Sequence, residues 1–122
     1  MILVDTSVWI DHLRRANAAL ALALSEGQVV QHPFVTAELA LGSLSEREKF
    51  VTMLGYLPAA PVADQAALLR FVADQQLFGT GLGMVDAHLL ASAADQPDLC
   101  LWTLDKRLSI HAERLGLSHD GR

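Results

Sequence analysis

Short apolar runs alternate along the chain with longer segments in which apolar residues recur at helical spacing. Runs at 2–4, 28–31 and 99–103 predict strands, and 56–57 is a weaker fourth candidate. The periodic segments predict seven helices, at 6–13, 16–24, 33–42, 45–54, 62–76, 84–94 and 105–115. Such alternation predicts an α/β fold, in which a parallel sheet is covered by helices on both faces and joined by right-handed crossovers.

Several residues predict where the helices begin and where order ends. Thr6 or Ser7 offers a side-chain oxygen that could cap the first helix, and Pro33 suits the first turn of the third. Ser45 followed by Glu48 has the spacing of a capping box for the fourth helix. The tail from 118 to 122 is expected to be frayed.

Length and composition indicate one domain spanning residues 1–122. We find no uncharged run of about 18 residues, which a membrane span requires, and the first residues lack the basic leader of a secretory signal. The single cysteine, Cys100, has no partner for an internal disulfide and is expected to be a buried apolar residue. A cytoplasmic location fits these features.

Four acids fall just after strands or near the starts of helices. Asp5 directly follows the first strand, and Asp105 lies two residues beyond the last one. Asp86 and Glu38 lie in the first or second turn of their predicted helices. Because sites in parallel α/β sheets gather beyond the carboxyl ends of the strands, we expect these four side chains to meet at one edge.

The segments that carry these acids resemble a known family. They are Val4-Asp5-Thr6-Ser7-Val8-Trp9-Ile10, Thr36-Ala37-Glu38-Leu39, Gly83-Met84-Val85-Asp86-Ala87 and Trp102-Thr103-Leu104-Asp105-Lys106. In order and spacing they resemble the PIN domains, and most closely the VapC-type toxins of prokaryotic toxin–antitoxin pairs. The resemblance implies a three-layer α/β/α fold with a central, mainly parallel sheet of four to five strands. It also implies metal-dependent endoribonuclease activity, inhibition by a cognate antitoxin, and a homodimer.

The resemblance also implies a role for each acid. Asp5 and Asp86 look like the principal metal ligands. Glu38 and Asp105 look like ligands through water, or residues that orient the attacking water. Thr103 looks like a supporting polar residue. All four acids are therefore candidate catalytic residues.

Chemical reasoning favours the same residues for phosphodiester hydrolysis. One or two divalent ions can activate water and stabilise charge on the phosphate and the leaving oxygen. Mg²⁺, or Mn²⁺ in its place, prefers oxygen ligands, which a carboxylate cluster supplies. The net charge of −5 argues at first against an RNA partner, yet the chain is nearly neutral if four of its 14 acids hold metal.

Each candidate also has a structural interpretation. Asp5 and Asp105 could be plain helix caps, Asp86 is favoured by the helix dipole whatever its role, and Glu38 could be an ordinary solvated residue. His88 lies two residues from Asp86 and should point to another side of the helix, so a structural or surface role is expected.

The other residues able to bind metal, stack on RNA or contact phosphate are weaker candidates for a role at the site. The other histidines lack the spacing of metal ligands; they are His12, His32, His111 and His119. Trp9 is expected in the core rather than in an RNA-stacking platform. Lys106 and Arg107 are candidates for phosphate contacts because they follow Asp105.

Other classes of protein fit less well. Aspartate-nucleophile phosphatases need a second aspartate two positions after the first, where this chain has Ser7, and receiver domains need paired acids after the first strand. A PIN-like module that only binds another protein stays open, because a fold alone does not establish catalysis. The composition, with 52% hydrophobic residues, favours partner surfaces on the helices between Ser7 and Leu54.

Overall fold

The computed structural model describes residues 1–120. Within them the chain forms the seven predicted helices and the three stronger of the four predicted strands. In chain order these are β1 (Ile2–Val4), α1 (Thr6–Arg14), α2 (Ala18–Ser25), β2 (Val29–Val30), α3 (Pro33–Ala40), α4 (Arg47–Gly55), α5 (Gln65–Asp74), α6 (Met84–Ala94), β3 (Cys100–Trp102) and α7 (Lys106–Arg114).

The sheet has β1 at its centre, with β2 and β3 on either side and all pairings parallel. Ile2 is opposite Val29 on one side and Cys100 on the other. Two isolated parallel bridges, Gln31 with Ala59 and Leu101 with Ser118, extend the pairing beyond β2 and β3. All three strands therefore end at the same edge, as the sequence predicts.

Helices cover both faces of this sheet. In β1, Leu3 and Val4 are fully buried and Ile2 is nearly so. Because successive side chains of a strand point to opposite faces, burial of all three requires cover on each side. The predicted α/β class, with its layers of helix, parallel sheet and helix, is confirmed.

The main core lies around β1 and the helices next to it. Trp9 of α1 is fully buried there and meets the ring of Phe50 from α4 edge-on, with centroids 5.6 Å apart. Trp9 is thus a core residue, as expected. A smaller apolar cluster joins α5 to α6 through Leu68, Ala87 and Ala91.

Three local predictions about helix and strand ends were wrong. Helix α4 starts at Arg47 after Glu46, whose φ is 51°, and no side-chain bond caps it, so Ser45 and Glu48 form no capping box. Residues 56–57 are not a strand, because α4 runs to Gly55 and the pairing with β2 occurs at Ala59 instead. Helix α5 begins later than expected, since Asp64 caps it by accepting the Ala67 N–H over 2.8 Å.

The chain end after α7 is more ordered than the sequence indicates. Ser118 forms the bridge to Leu101, and the His119 N–H donates to the Leu101 carbonyl over 2.8 Å. The frayed-tail prediction is wrong for these two residues, and its last part, 121–122, lies outside the described residues. Among residues 1–120, no helix is both long and apolar enough to cross a membrane.

Candidate active site

The candidate site lies at the carboxyl edge of the sheet, where β1 and β3 end side by side. The Asp5 N–H donates to the Trp102 carbonyl over 2.9 Å, so the strand pairing continues to the first residue beyond β1. This places Asp5 next to Thr103, the first residue beyond β3. The parallel register therefore positions both side chains.

Asp5 is a buried carboxylate, since only 7% of the residue is exposed, and two hydrogen bonds fix its orientation. Its Oδ2 accepts hydrogen bonds from the hydroxyls of Ser7 and Thr103, each over 2.7 Å. Asp5 occupies the position before α1, but its side chain caps no backbone N–H there.

The hydroxyls of Thr6 and Ser7 do not cap α1 as predicted, because both are used at the site. Ser7 also accepts the Leu104 N–H over 3.0 Å, which ties the end of β3 to the start of α1. Thr6 donates to Glu38 Oε1 over 2.8 Å. Sequence reasoning missed these roles, since partners 32 to 97 positions away leave no local signal.

Asp105 combines a structural role with its place at the site. Its Oδ1 accepts the Leu108 N–H over 2.9 Å, which makes it the N-cap of α7. Its own N–H donates to Thr103 Oγ1 over 3.0 Å, so the hydroxyl that holds Asp5 also holds the turn that carries Asp105. The exposed side chain of Asp105 lines an open depression together with Asp86.

Asp86 lies in the first turn of α6, where its Oδ2 accepts the Gly83 N–H over 3.2 Å. Burial raises the pKa of the Asp86 carboxyl above its ordinary value, and the charges of Asp5, Asp105 and Glu38 raise it further, while the Gly83 bond acts in the opposite direction. Asp86 is therefore within electrostatic range of all three other acids. The fold brings the four predicted side chains into one electrostatic neighbourhood.

The chemistry of these side chains suits a hard divalent cation better than a soft one. Among residues 1–120, no group of three or more Asp, Glu, His or Cys side chains is arranged to hold an ion. Mg²⁺ often takes only one or two carboxylates and completes its shell with water and substrate phosphate, so a sparse oxygen donor set still fits it. In Asp5, both hydroxyl bonds fall on Oδ2, and Oδ1 takes no part in them.

The histidines near this edge have structural roles. His88 is buried and meets the Phe34 ring edge-on, with centroids 4.7 Å apart, which agrees with a structural role. His32, fully buried, caps α3 by accepting the Phe34 N–H at Nδ1 over 3.0 Å. The cap formed by His32 was not expected from the sequence.

Comparison with known proteins agrees with the fold and the motifs. The PIN domain family profile matches residues 2–114. Two proteins named Ribonuclease VapC32, from Mycobacterium tuberculosis strains CDC 1551 / Oshkosh and ATCC 25618 / H37Rv, are each 46% identical to this chain over 118 residues. The aligned part covers 97% of this chain and 95% of each relative. These matches confirm the resemblance found in the sequence, and the chain belongs to the PIN-domain family.

Proposed function

We propose that this protein is a divalent-metal-dependent endoribonuclease that acts in the cytoplasm as the toxin of a toxin–antitoxin pair. One observation carries the proposal: the Thr103 hydroxyl joins Asp5 to Asp105, and Asp105 lines one depression together with Asp86. Acids that repel one another are unfavourable in a folded protein unless a cation or a reaction needs them. The 46% identity to proteins named ribonucleases supports the same conclusion.

In this proposal Asp5 and Asp86 are the metal ligands. Asp5 is suited to the role because two hydroxyls fix its Oδ2, so little orientational entropy is lost when a ligand binds. Glu38, held by Thr6, and Asp105, held at the start of α7, would contact the ion through water or orient the attacking water. All four acids would thus be catalytic, within a single domain that spans the chain.

Bound Mg²⁺, or Mn²⁺, would supply Lewis-acid stabilisation of the phosphate and a more acidic water. The protein would contribute carboxylates in their ionised form, at positions that the strand ends and helix starts determine. Ser7 and Thr103 hold the Asp5 carboxylate in one orientation by donating to its Oδ2. Asp86 must lose its proton despite its raised pKa, so activity should fall in acid.

The direct test is cleavage of structured RNA by the purified protein with Mg²⁺ and with a chelator. We expect cleavage only with the ion, and Asp5→Asn and Asp86→Asn should each lower kcat by orders of magnitude. Asp74→Asn, on the exposed end of α5, is the matched control and should cleave normally. Full activity of either site variant would refute the proposed site. An inactive wild type that still binds its partner would favour the silent binding module.

The toxin role requires a partner, and the early helices offer a surface for one. A groove of about 390 Å³ lies between α1 and the turn after α3, lined by Ile10, Leu13 and residues 42–45. Leu41 beside it is 88% exposed. An amphipathic antitoxin segment could lay its apolar face in such a groove, and other exposed apolar side chains, such as Leu22 and Tyr56, could contribute to a homodimer.

Co-expression with the neighbouring small reading frame tests this role. Expression of the chain alone should arrest growth, and the partner should relieve the arrest and co-purify with the chain. Leu13→Asp, in the proposed groove, should weaken the complex while leaving RNA cleavage intact. Harmless expression of active protein with no recovered partner would refute the toxin role and leave the nuclease assignment standing.

A further inference from the structure

Arg107 lies in the depression that contains two of the four acids. This depression, of about 620 Å³, is lined by Gly81, Asp86, Asp105, Lys106, Arg107 and Ile110. Arg107 is in the first turn of α7, and the sequence alone made it a candidate for a phosphate contact. The structure adds how its guanidinium is held.

Gly81 forms a seat for the guanidinium of Arg107. Nη1 of Arg107 donates to the Gly81 carbonyl over 3.2 Å. A Cβ added at Gly81 would stand 2.6 Å from that nitrogen, and the φ of Gly81 is +85°, a conformation that residues with side chains rarely adopt. The backbone conformation favours glycine at this position, and a side chain there would push the Arg107 guanidinium away.

The loop that carries Gly81 is itself held in place. The Thr80 hydroxyl donates to the Leu77 carbonyl over 2.6 Å, and the Leu82 N–H approaches the same hydroxyl at 3.4 Å. The loop that contacts the guanidinium is therefore held in place by its own hydrogen bonds. Such preorganisation lowers the entropy that a side chain loses when it binds a ligand.

Within residues 1–120, Arg107 forms no direct ion pair with the two acids that line its depression. The ion pair between Lys49 of α4 and Glu46, the residue before that helix, lies away from this depression. A guanidinium carries five N–H donors, and the described residues accept from one of them. The other four donors remain for a ligand that enters the depression.

We propose that Arg107 binds a phosphate of the RNA substrate next to the one that is cut. The inference rests on the proposed function, in which the carboxylates hold the phosphate under attack. RNA that approaches a chain of net charge −5 meets repulsion from these acids, and a seated arginine beside them offsets it. The planar fork of guanidinium matches phosphate oxygens better than an ammonium group does.

A purely structural role for Arg107 is the competing explanation, and α7 contains a matched control for it. Arg114, seven residues further along α7, donates from Nη2 to the Gln75 carbonyl over 2.9 Å. Both arginines thus tie α7 to the segment after α5, but only Arg107 lines the depression with the acids. If each arginine only holds α7 against that segment, Arg107→Ala and Arg114→Ala should have the same effect on RNA cleavage.

The experiment compares Arg107→Ala, Arg107→Lys and Arg114→Ala in RNA cleavage with saturating Mg²⁺ over a range of salt concentrations. For Arg107→Ala we expect KM to rise about tenfold with kcat within about twofold, because the contact is made equally in the ground and transition states. The slope of log(1/KM) against log salt should become shallower by about 0.7, the value for one single-strand phosphate. Arg107→Lys should restore most of this slope, and Arg114→Ala should leave KM and slope unchanged.

Gly81→Ala provides an independent variant that leaves Arg107 in the chain. Its Cβ should displace the guanidinium, so KM should rise, and the double variant Gly81→Ala/Arg107→Ala should show little further increase. If Arg107→Ala has the same KM and salt slope as the wild type, the inference about Arg107 is wrong. Cleavage of RNA in the same assay would still support the proposed nuclease activity. Equal losses in Arg107→Ala and Arg114→Ala would also overturn the inference, and a wild type that neither binds nor cleaves RNA would refute both proposals.

Discussion

Thr103 donates its hydroxyl hydrogen to Asp5 Oδ2 over 2.7 Å, a bond that joins residues 98 positions apart. The bond exists because β1 and β3 are parallel neighbours, so the first residues beyond each strand lie side by side. Thr103 also accepts the Asp105 N–H, and the Ser7 hydroxyl lies 3.4 Å from its oxygen. One hydroxyl thus connects two of the proposed catalytic acids.

Replacing Thr103 by valine should lower activity more than it lowers stability. Asp5 would keep only the Ser7 bond, and its carboxylate would be less well oriented for a metal. We expect kcat to fall about tenfold and the free energy of unfolding to fall by about 1 to 2 kcal/mol. Kinetics with RNA and urea denaturation measure the two quantities. Thr103→Ser keeps the hydroxyl and should stay near wild type, so equal loss in both variants would contradict the orienting role.

Asp86→Asn should have opposite effects on stability and on activity. Burial and three neighbouring charges disfavour the ionised carboxyl, which is why its pKa is raised. Removing that charge should therefore raise the melting temperature of the metal-free protein near neutral pH, while RNA cleavage is lost. Scanning calorimetry in chelator and a cleavage assay with Mg²⁺ check the two halves of the prediction.

Mg²⁺ should reverse this order of stability. An ion that binds the folded protein and not the unfolded chain raises the melting temperature of wild type, and the gain should be smaller in Asp86→Asn. Asp74→Asn, on α5, is the control and should respond to Mg²⁺ as wild type does. Identical responses in wild type and Asp86→Asn would mean that the ion binds elsewhere.

Asp105 requires two substitutions, because it is both a helix cap and a proposed catalytic acid. Asparagine caps a helix about as well as aspartate, so Asp105→Asn should keep the Leu108 bond and lose activity. Asp105→Ala should in addition lower the free energy of unfolding by about 1 kcal/mol. Urea denaturation and RNA cleavage separate the two effects. Full activity of Asp105→Asn would show that Asp105 acts only as the N-cap of α7.

The sequence predicted those features of the site that depend on topology alone. Periodicity gave the seven helices, and parallel strands required Asp5 and Asp105 to share an edge. Whether a particular hydroxyl caps its own helix or binds a distant acid depends on tertiary contacts. Thr6 and Ser7 illustrate this, because their partners lie at Glu38 and Leu104.

Edge pairings were the other features that the pattern did not predict. The tail was predicted to be frayed, yet Ser118 and His119 pair with Leu101 of β3. Pairing beyond β2 falls on Ala59 rather than on 56–57, because α4 continues to Gly55. A single backbone bridge needs no apolar alternation, so hydrophobic periodicity has no means of detecting it.

The buried histidines should make the protein sensitive to acid. His32 is fully buried, and its Nδ1 accepts the Phe34 N–H, so protonating that nitrogen would remove the cap of α3. Burial, and secondarily the charge of His88, lowers the pKa of His32 from 6.5 to about 4. Burial also lowers the pKa of His88, whose ring centroid lies 6.3 Å from that of His32.

The sign of the effect follows from where the proton binds. The unfolded chain binds a proton at His32 below pH 6.5, whereas the folded protein binds one there only below about pH 4. The contribution of His32 to the free energy of unfolding is therefore fully present above pH 6.5 and is lost as the pH falls from 6.5 to about 4. Between pH 7 and pH 5 the contribution of His32 amounts to about 2 kcal/mol. His32→Asn can still cap α3 but does not titrate, so its free energy of unfolding should fall by about 2 kcal/mol less than that of wild type over this interval. Urea denaturation at the two pH values measures this difference, and parallel pH profiles for the two proteins would show that His32 is not the source of acid sensitivity.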